Sequence, residues 1–297
     1  MRITVLQVNS RHDKEANVRE ALRLLELAAE RGTDVAVLPE NVNYLGPKEG
    51  LLGAAEEIPG PTSEAFAAKA RELGVWILAG SIPEVSEHGD RNYNTSLLFD
   101  RQGEIAARYR KVHLFDVEIA GNVSAQESAT VAPGEEVVTA DVEGHTVGLS
   151  ICYDLRFPEL YRDLALRGAE IMFVPAAFTL YTGKDHWATL LRARAIENQC
   201  FVVAAGQIGP HEPNMSCYGR SMIVDPWGTV LAQAADGVGI AHADLDLDRI
   251  SEIRRQLPSL ANRRPDVYAR NSSREKVPDR EVATGAAQEA HGRQTHG

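Results

Sequence analysis

Three side chains in this sequence combine a reactive type with a position where reactivity could be used: Cys152, Glu40 and Lys111. Cys152 ends an apolar run expected to be a strand over 146–151 and precedes Tyr153-Asp-Leu-Arg-Phe-Pro158, after which a helix is expected over 159–167. A sulfur at such a strand-to-helix turn is presented at the sheet edge, where neighbouring backbone N–H groups favour a thiolate and can receive a developing oxyanion. The alternative is a cysteine that only fills core. Glu40 closes Val35-Ala-Val-Leu-Pro-Glu40 at the carboxyl end of a second strand. A carboxylate there is partly desolvated, which raises its pKa and suits a general base; a turn or helix cap is the alternative. Lys111 lies in the extended segment Tyr109-Arg-Lys-Val-His-Leu-Phe-Asp116, where a solvated surface lysine is the ordinary outcome.

Other chemistries lack their residues. The nine histidines show no His-Glu-x-x-His or His/Cys pairing at ligand spacing, and His113 and His186 have no local partners, so no metal and no cofactor is expected. Gly-x-Gly-x-x-Gly, the Gly-Lys-Ser/Thr phosphate loop and the Gly-x-Ser-x-Gly elbow do not occur. A formal net charge of -11 repels polyanions, which argues against nucleic acid or an anionic membrane surface as partner. Three cysteines, Cys152, Cys200 and Cys217, fit no disulfide framework and suit a reducing compartment. The apolar start is too short for a secretory segment and no run reaches membrane-spanning length, so a cytoplasmic location is expected.

The elements that must position these residues read as α/β. A strand over 2–8 is followed by a helix carrying Val18, Ala21, Leu22, Leu25, Ala28 and Ala29 at helical spacing, closed by Gly32, and then by a strand over 34–38. This β-α-β opening calls for a sheet with a crossover helix, whose sites lie at the carboxyl ends of strands. A helix from about 62 stops at Gly74 before a strand over 75–79. Strands over 95–99 and 105–108 flank a turn at Asp100-Arg-Gln-Gly103, and strands over 137–142 and 146–151 flank Glu143-Gly144. After the 159–167 helix come a strand over 170–174, a helix striped by Trp187, Leu190, Leu191 and Ala195, strands over 201–205, 222–224, 230–232 and 240–243, and a last helix over 247–257. With no repeat or linker visible, 1–269 reads as one domain. Residues 270–297 are charged and small, a composition that predicts a mobile C-terminal tail.

Taken together, Leu38-Pro-Glu40, Arg110-Lys-Val-His-Leu-Phe115 and Ser150-Ile-Cys-Tyr-Asp-Leu-Arg-Phe-Pro-Glu159 resemble, in order and separation, the three catalytic blocks of the nitrilase (carbon-nitrogen hydrolase) superfamily. The segments from Phe178 to Trp187, Arg192 to Gln199 and Ser221 to Gly228 resemble its later blocks. The resemblance implies an α-β-β-α sandwich, four layers per subunit, in a homodimer or larger homo-oligomer. It also implies Cys152 as nucleophile, Glu40 as general base, and Lys111 with the Tyr153 backbone N–H at the oxyanion. Glu127, in Ala125-Gln-Glu-Ser-Ala129, matches a second glutamate that orients the substrate amide and supports Lys111; an exposed loop acid is the alternative.

Within the superfamily, His113-Leu-Phe-Asp-Val-Glu118, Gln126-Glu-Ser128 and His186-Trp187 resemble the branch of deaminated glutathione amidase and omega-amidase. That resemblance implies hydrolysis of a small 2-oxo acid monoamide to acid and ammonia through an acyl-enzyme. An anionic substrate needs a local cation, for which Arg156, Lys184 and Arg194 are candidates. Phe178, Thr179, His186 and Tyr44 are candidate lining residues, although helix packing and loop anchoring explain them equally well. Competing readings are an N-carbamoyl amino acid hydrolase, a true nitrilase, a non-catalytic metabolite-binding scaffold, and a redox thiol protein, which lacks a Cys-x-x-Cys partner.

Overall fold

Strands buried on both faces carry apolar residues without alternation, and the chain opens with three of them. In Arg2–Gln7, Ile3 and Val5 point into one core while Leu6 points into another. Val35 and Val37 divide from Ala36 in the same way, as Leu78 does from Ile77. Such two-sided burial is what parallel strands between covering layers require. Accordingly Arg2–Gln7 pairs parallel with Val35–Val37, and Val35–Val37 pairs parallel with Trp76–Leu78. The computed structural model describes residues 1–212 and 214–269.

Two large sheets form among the described residues. The first, of eight strands, runs Gly239–Asp244, Arg2–Gln7, Val35–Val37, Trp76–Leu78, Asn92–Phe99 and Ile82–Val85, with Ile105–Arg110 and Val131–Ala132 also paired to Asn92–Phe99. The second, of six strands, runs Thr139–Val142, His145–Leu149, Ile171–Phe173, Phe201–Ala204, Met222–Val224 and Val230–Gln233. Helices Lys14–Glu30 and Pro61–Leu73 cover the first sheet, with Leu24, Leu25, Phe66 and Ala70 packed on Ala36, Ile77 and Phe99. Pro158–Leu166 and Leu180–Asn198 cover the second through Tyr161, Leu164, Trp187 and Leu191. Between the sheets lies the core containing Ile3, Val5, Val35, Val37, Val147 and Leu149. The layer order is the expected α-β-β-α sandwich.

Local signals placed most elements. The Asp13 carboxylate accepts the Ala16 N–H at 2.9 Å and starts Lys14–Glu30, and Gly74, at φ 64, ends Pro61–Leu73 in the left-handed conformation. The helix expected around Trp187 begins earlier, at Leu180. Its first turns expose Leu180, Tyr181, Lys184, Asp185 and His186, so they lack the apolar periodicity that marks a helix from sequence. Strand Ile82–Val85 contains a proline, and the hairpins Asp116–Ile119/Val123–Gln126 and Ile208–His211/Met215–Tyr218 have polar or glycine-containing strands of four residues; none was foreseen.

Met1–Leu260 is one compact unit, and a second unit starts at Ala261. The described part of the second contains the short helix Pro265–Ala269, with Arg264 paired to Asp266 at 2.9 Å. The tail expected over 270–297 lies outside the described residues. No helix among the described residues is long and apolar enough to cross a membrane.

Candidate active site

Glu40, Lys111, Glu127 and Cys152 come from four separate stretches of chain and meet at the carboxyl end of Val35–Val37. The segment after that strand is held by the Leu38 N–H, which donates to the Leu78 carbonyl at 2.9 Å. Gly80, at φ 58, lies so close to the Pro39 carbonyl that a Cβ there would collide with it. This fixes the backbone next to Glu40, a residue only 2% exposed. Its Oε1 accepts from Lys111 Nζ at 2.8 Å and from Asn94 Nδ2 at 2.9 Å, and its Oε2 accepts from the Ala177 N–H at 2.7 Å. Lys111, directly after Ile105–Arg110, is also 2% exposed, which overturns the surface-lysine alternative. Its ammonium donates to Glu127 Oε1 at 3.1 Å and Oε2 at 2.9 Å. Glu127 begins the short 3-10 helix Glu127–Ala129 and is no free loop acid, because its Oε2 also accepts the Phe115 N–H at 2.6 Å.

Cys152 sits at the expected turn in a strained conformation, φ 47, and opens the 3-10 helix Cys152–Arg156 that leads into Pro158–Leu166. Its N–H donates to the Pro175 carbonyl at 2.9 Å. A positive φ at a non-glycine residue costs energy and persists only where surrounding contacts impose it.

The charges differ from the sequence expectation in two respects. Burial pushes the Glu40 carboxyl up, but the Lys111 charge and hydrogen bond, with help from Cys152 and the Ala177 N–H, outweigh it and hold Glu40 below the ordinary carboxylate value. The rise expected from the apolar run alone counted desolvation; the cation that the resemblance places beside Glu40 reverses it. Burial and the neighbouring Glu40 push the Cys152 thiol well above its ordinary value, against the pull of Lys111, so the expected thiolate-favouring environment is also corrected. Burial disfavours the Lys111 ammonium, yet Glu127 and Glu40 keep it protonated far above the usual range. The result is a neutral thiol beside an ionised carboxylate and a fixed cation.

Around this centre lies a rim of aromatic and basic side chains. Tyr153 packs edge-on to Phe115 and Phe157, with ring centroids 5.1 and 5.3 Å away. The Arg156 guanidinium lies 5.1 Å from the Phe178 ring and 5.8 Å from Tyr153, and its Nη1 donates to His186 Nδ1 at 3.2 Å. Four of the anticipated substrate residues, Tyr153, Arg156, Phe178 and His186, are thus in one cluster. Thr179 is buried with its hydroxyl 2.8 Å from that of Thr182, and the Tyr44 hydroxyl donates to the Pro47 carbonyl at 2.8 Å, both serving their own loops. Arg194 is used inside the fold: it is buried, donating to the Leu155 carbonyl at 3.0 Å and to Glu197 at 2.6 Å. Lys184 is exposed above the Tyr181 ring. Among the described residues no group of three or more His, Cys, Asp or Glu side chains is arranged to hold a metal.

Comparison with known proteins names the family. Residues 2–255 match the family described as Carbon-nitrogen hydrolase. The chain belongs to that family. It is 45% identical over 262 residues to a deaminated glutathione amidase of Synechocystis, covering 87% of this chain and 96% of the relative. It is 38% identical over 268 residues to the omega-amidase of Homo sapiens, covering 90% and 96%. The crystal structure of the C. elegans NitFhit protein superposes with a TM-score of 0.85 at 40% identity, covering 90% of this chain and 66% of that one.

In this carbon-nitrogen hydrolase, several site residues escaped the sequence reading. Asp154 is fully buried and accepts four hydrogen bonds. Its Oδ2 takes the Tyr109 hydroxyl at 2.7 Å and the Ile151 N–H at 2.8 Å, and its Oδ1 takes the His113 N–H at 3.0 Å and Nδ1 at 2.7 Å. It therefore ties the cysteine turn to the segment that carries Lys111. His113 in turn stacks on Phe157, centroids 3.7 Å apart. Asn94 touches both carboxylates and, through its carbonyl, the Lys111 N–H at 2.9 Å. The available signal was polarity: Asp154 lies two residues from the nucleophile, and Asn94 interrupts a strand with a side chain that must find a partner.

Proposed function

We propose that this hydrolase cleaves the terminal amide of a small anionic 2-oxo acid monoamide, of the deaminated glutathione type, to the acid and ammonia. The observation that carries the reading is the ionised Glu40 carboxylate lying against the neutral thiol of Cys152 with the Lys111 ammonium beside both. Glu40 takes the thiol proton as sulfur attacks the amide carbon. The oxyanion is met by Lys111 and the Tyr153 backbone N–H, and one such donor is worth roughly 3 kcal/mol to the transition state. Collapse of the adduct breaks the carbon–nitrogen bond as Glu40 returns its proton to the departing nitrogen, because ammonia leaves only when protonated. Water then attacks the thioester, with Glu40 again as base, and the thiol is regenerated. Glu127 holds Lys111 and orients the amide. Arg156 supplies the cation for the substrate carboxylate: among the described residues no carboxylate lies within ion-pairing distance of it, and the Phe178 and Tyr153 rings shelter it. Phe178 and His186, which contact Arg156, complete the pocket wall.

The names of the relatives support this substrate class, and the omega-amidase relative keeps 2-oxoglutaramate as the second reading. The same proposal takes 1–269 as one catalytic domain working as a homodimer or larger homo-oligomer in the cytoplasm. Ammonia release from deaminated glutathione, 2-oxoglutaramate and an N-carbamoyl amino acid tests it. The expected order of kcat/KM follows that sequence, with no release by Cys152→Ala. Faster turnover of the carbamoyl compound, or retained turnover in Cys152→Ala, would overturn it.

A further inference from the structure

Two carboxylates share one cation in this site. Lys111 Nζ lies 2.8 Å from Glu40 Oε1 and 3.1 and 2.9 Å from the two oxygens of the half-buried Glu127, so the trio carries one net negative charge when ionised. Like charges so close would normally be relieved by taking up a proton, which the pair would share. A proton resident on either carboxyl would remove the base or loosen the grip on Lys111.

Asn94 stands where this conflict is resolved. It lies on Asn92–Phe99 with 4% exposure, and its amide Nδ2 donates to Glu40 Oε1 at 2.9 Å and to Glu127 Oε1 at 3.3 Å. The amide cannot be turned over, because the flip would set Oδ1 against two anions. Its backbone carbonyl accepts the Lys111 N–H at 2.9 Å, so one residue contacts the base, its companion and the cation. We propose that Asn94 is a positioning residue that fixes the Glu40 and Glu127 carboxylates around Lys111 and leaves Glu40 free to take the thiol proton. The inference rests on the reading of Glu40 as base.

The other groups acting on Glu40 come from every side. Lys111 arrives from the end of Ile105–Arg110, Cys152 from its 3-10 turn and the Ala177 N–H from beyond Ile171–Phe173, while Cys217, on Met215–Tyr218, feels the Glu40 charge. Of these groups Lys111 alone reaches both carboxylates, and the Asn94 amide is the neutral donor that does so beside it. Removing the Asn94 amide takes a hydrogen bond from the ionised Glu40 carboxylate, so the base is lost at a higher pH.

The test follows alkylation of Cys152 by iodoacetamide, read on its own peptide to exclude Cys200 and Cys217, against pH in the full-length protein, together with kcat/KM and thermal melting. In the parent the rate falls only at low pH. In Asn94→Ala the midpoint of that fall moves up by roughly one pH unit, the size expected for losing a hydrogen bond to a buried carboxylate. Asn94→Asp, isosteric but anionic, moves it further, and Asn94→Ser restores part of the shift. If Asn94→Ala does not fold, the aspartate variant decides. Variants that melt like the parent and keep its midpoint, whatever their turnover, would overturn the proposal and leave Asn94 a packing residue. A parent protein with no acid limb at all would instead remove the base reading, and this inference with it.

Discussion

Two glutamates in the first sheet are equally buried, Glu40 and Glu84, each 2% exposed, and neighbouring residues serve them. On Asn92–Phe99, Asn94 donates to Glu40 and Thr95 donates to Glu84 at 2.5 Å. On the adjoining segment Arg110 donates to Glu84 at 2.6 Å and Lys111 donates to Glu40 at 2.8 Å. The pleat sends consecutive side chains to opposite faces, so one pair of strands equips both carboxylates. What differs is the partner chemistry. Glu84 faces Arg108 and Arg110, both partly exposed, and arginine never gives up its proton. Glu40 faces a buried lysine and a thiol that can release one. Burial of a carboxylate is therefore common to a staple and a reactive centre, and only the second has a proton to move.

The sharpest way to break this comparison is to neutralise each glutamate in turn. Glu40→Gln is expected to lower kcat/KM by roughly 10,000-fold, since one group serves as base and acid in both half-reactions. Glu84→Gln is expected to lose about 1–2 kcal/mol of stability in urea unfolding, since charge-assisted hydrogen bonds to a buried carboxylate are lost while its partly exposed arginines stay solvated, and ammonia release stays within a few-fold of the parent. If Glu84→Gln, still folded, lost turnover as Glu40→Gln does, the division between staple and centre would be wrong. A smaller effect separates the cations. Lys111→Arg replaces a compact ammonium with a planar fork that cannot meet both carboxylates and an oxyanion, and kcat should fall by roughly 100-fold to 1,000-fold. Arg110→Lys keeps a cation at Glu84 and should leave kcat near that of the parent.

The same comparison marks what sequence could and could not supply. Parallel strands with two buried faces and capped helices announce themselves, because apolar periodicity and local capping are encoded over a few residues. Glu40, Lys111 and Cys152 were legible as candidates from strand ends and from the order of their blocks. Asn94 and Asp154 were not, since their side-chain partners are fixed by the pleat and mostly by contacts 33 to 54 residues away in the chain. The direction of the Glu40 shift divides in the same way: desolvation follows from the apolar run before it and points upward, whereas the cation that reverses it is 71 residues on and was reached only through the order of the blocks. Four-residue strands such as Ile208–His211, with glycine and proline inside, carry too little pattern to register.

The smallest expected effect is the pH dependence of stability, and its sign tests whether cation or burial governs Glu40. The folded carboxyl sits below its unfolded value of about 4.3, so the ionised form stabilises the fold fully above that pH and loses this contribution as pH falls through the folded value. For one group the slope cannot exceed roughly 1.4 kcal/mol per pH unit. The stability difference between the parent and Glu40→Gln should accordingly stay level from neutral pH down to about 4.3 and narrow only below it. Were burial to win, the carboxyl would sit above its ordinary value and the difference would change between about pH 5 and 7, in the range where the ionised base is needed. Urea unfolding of both proteins across this range distinguishes the two, and a change confined to the upper window would mean that Lys111 does not hold Glu40 ionised.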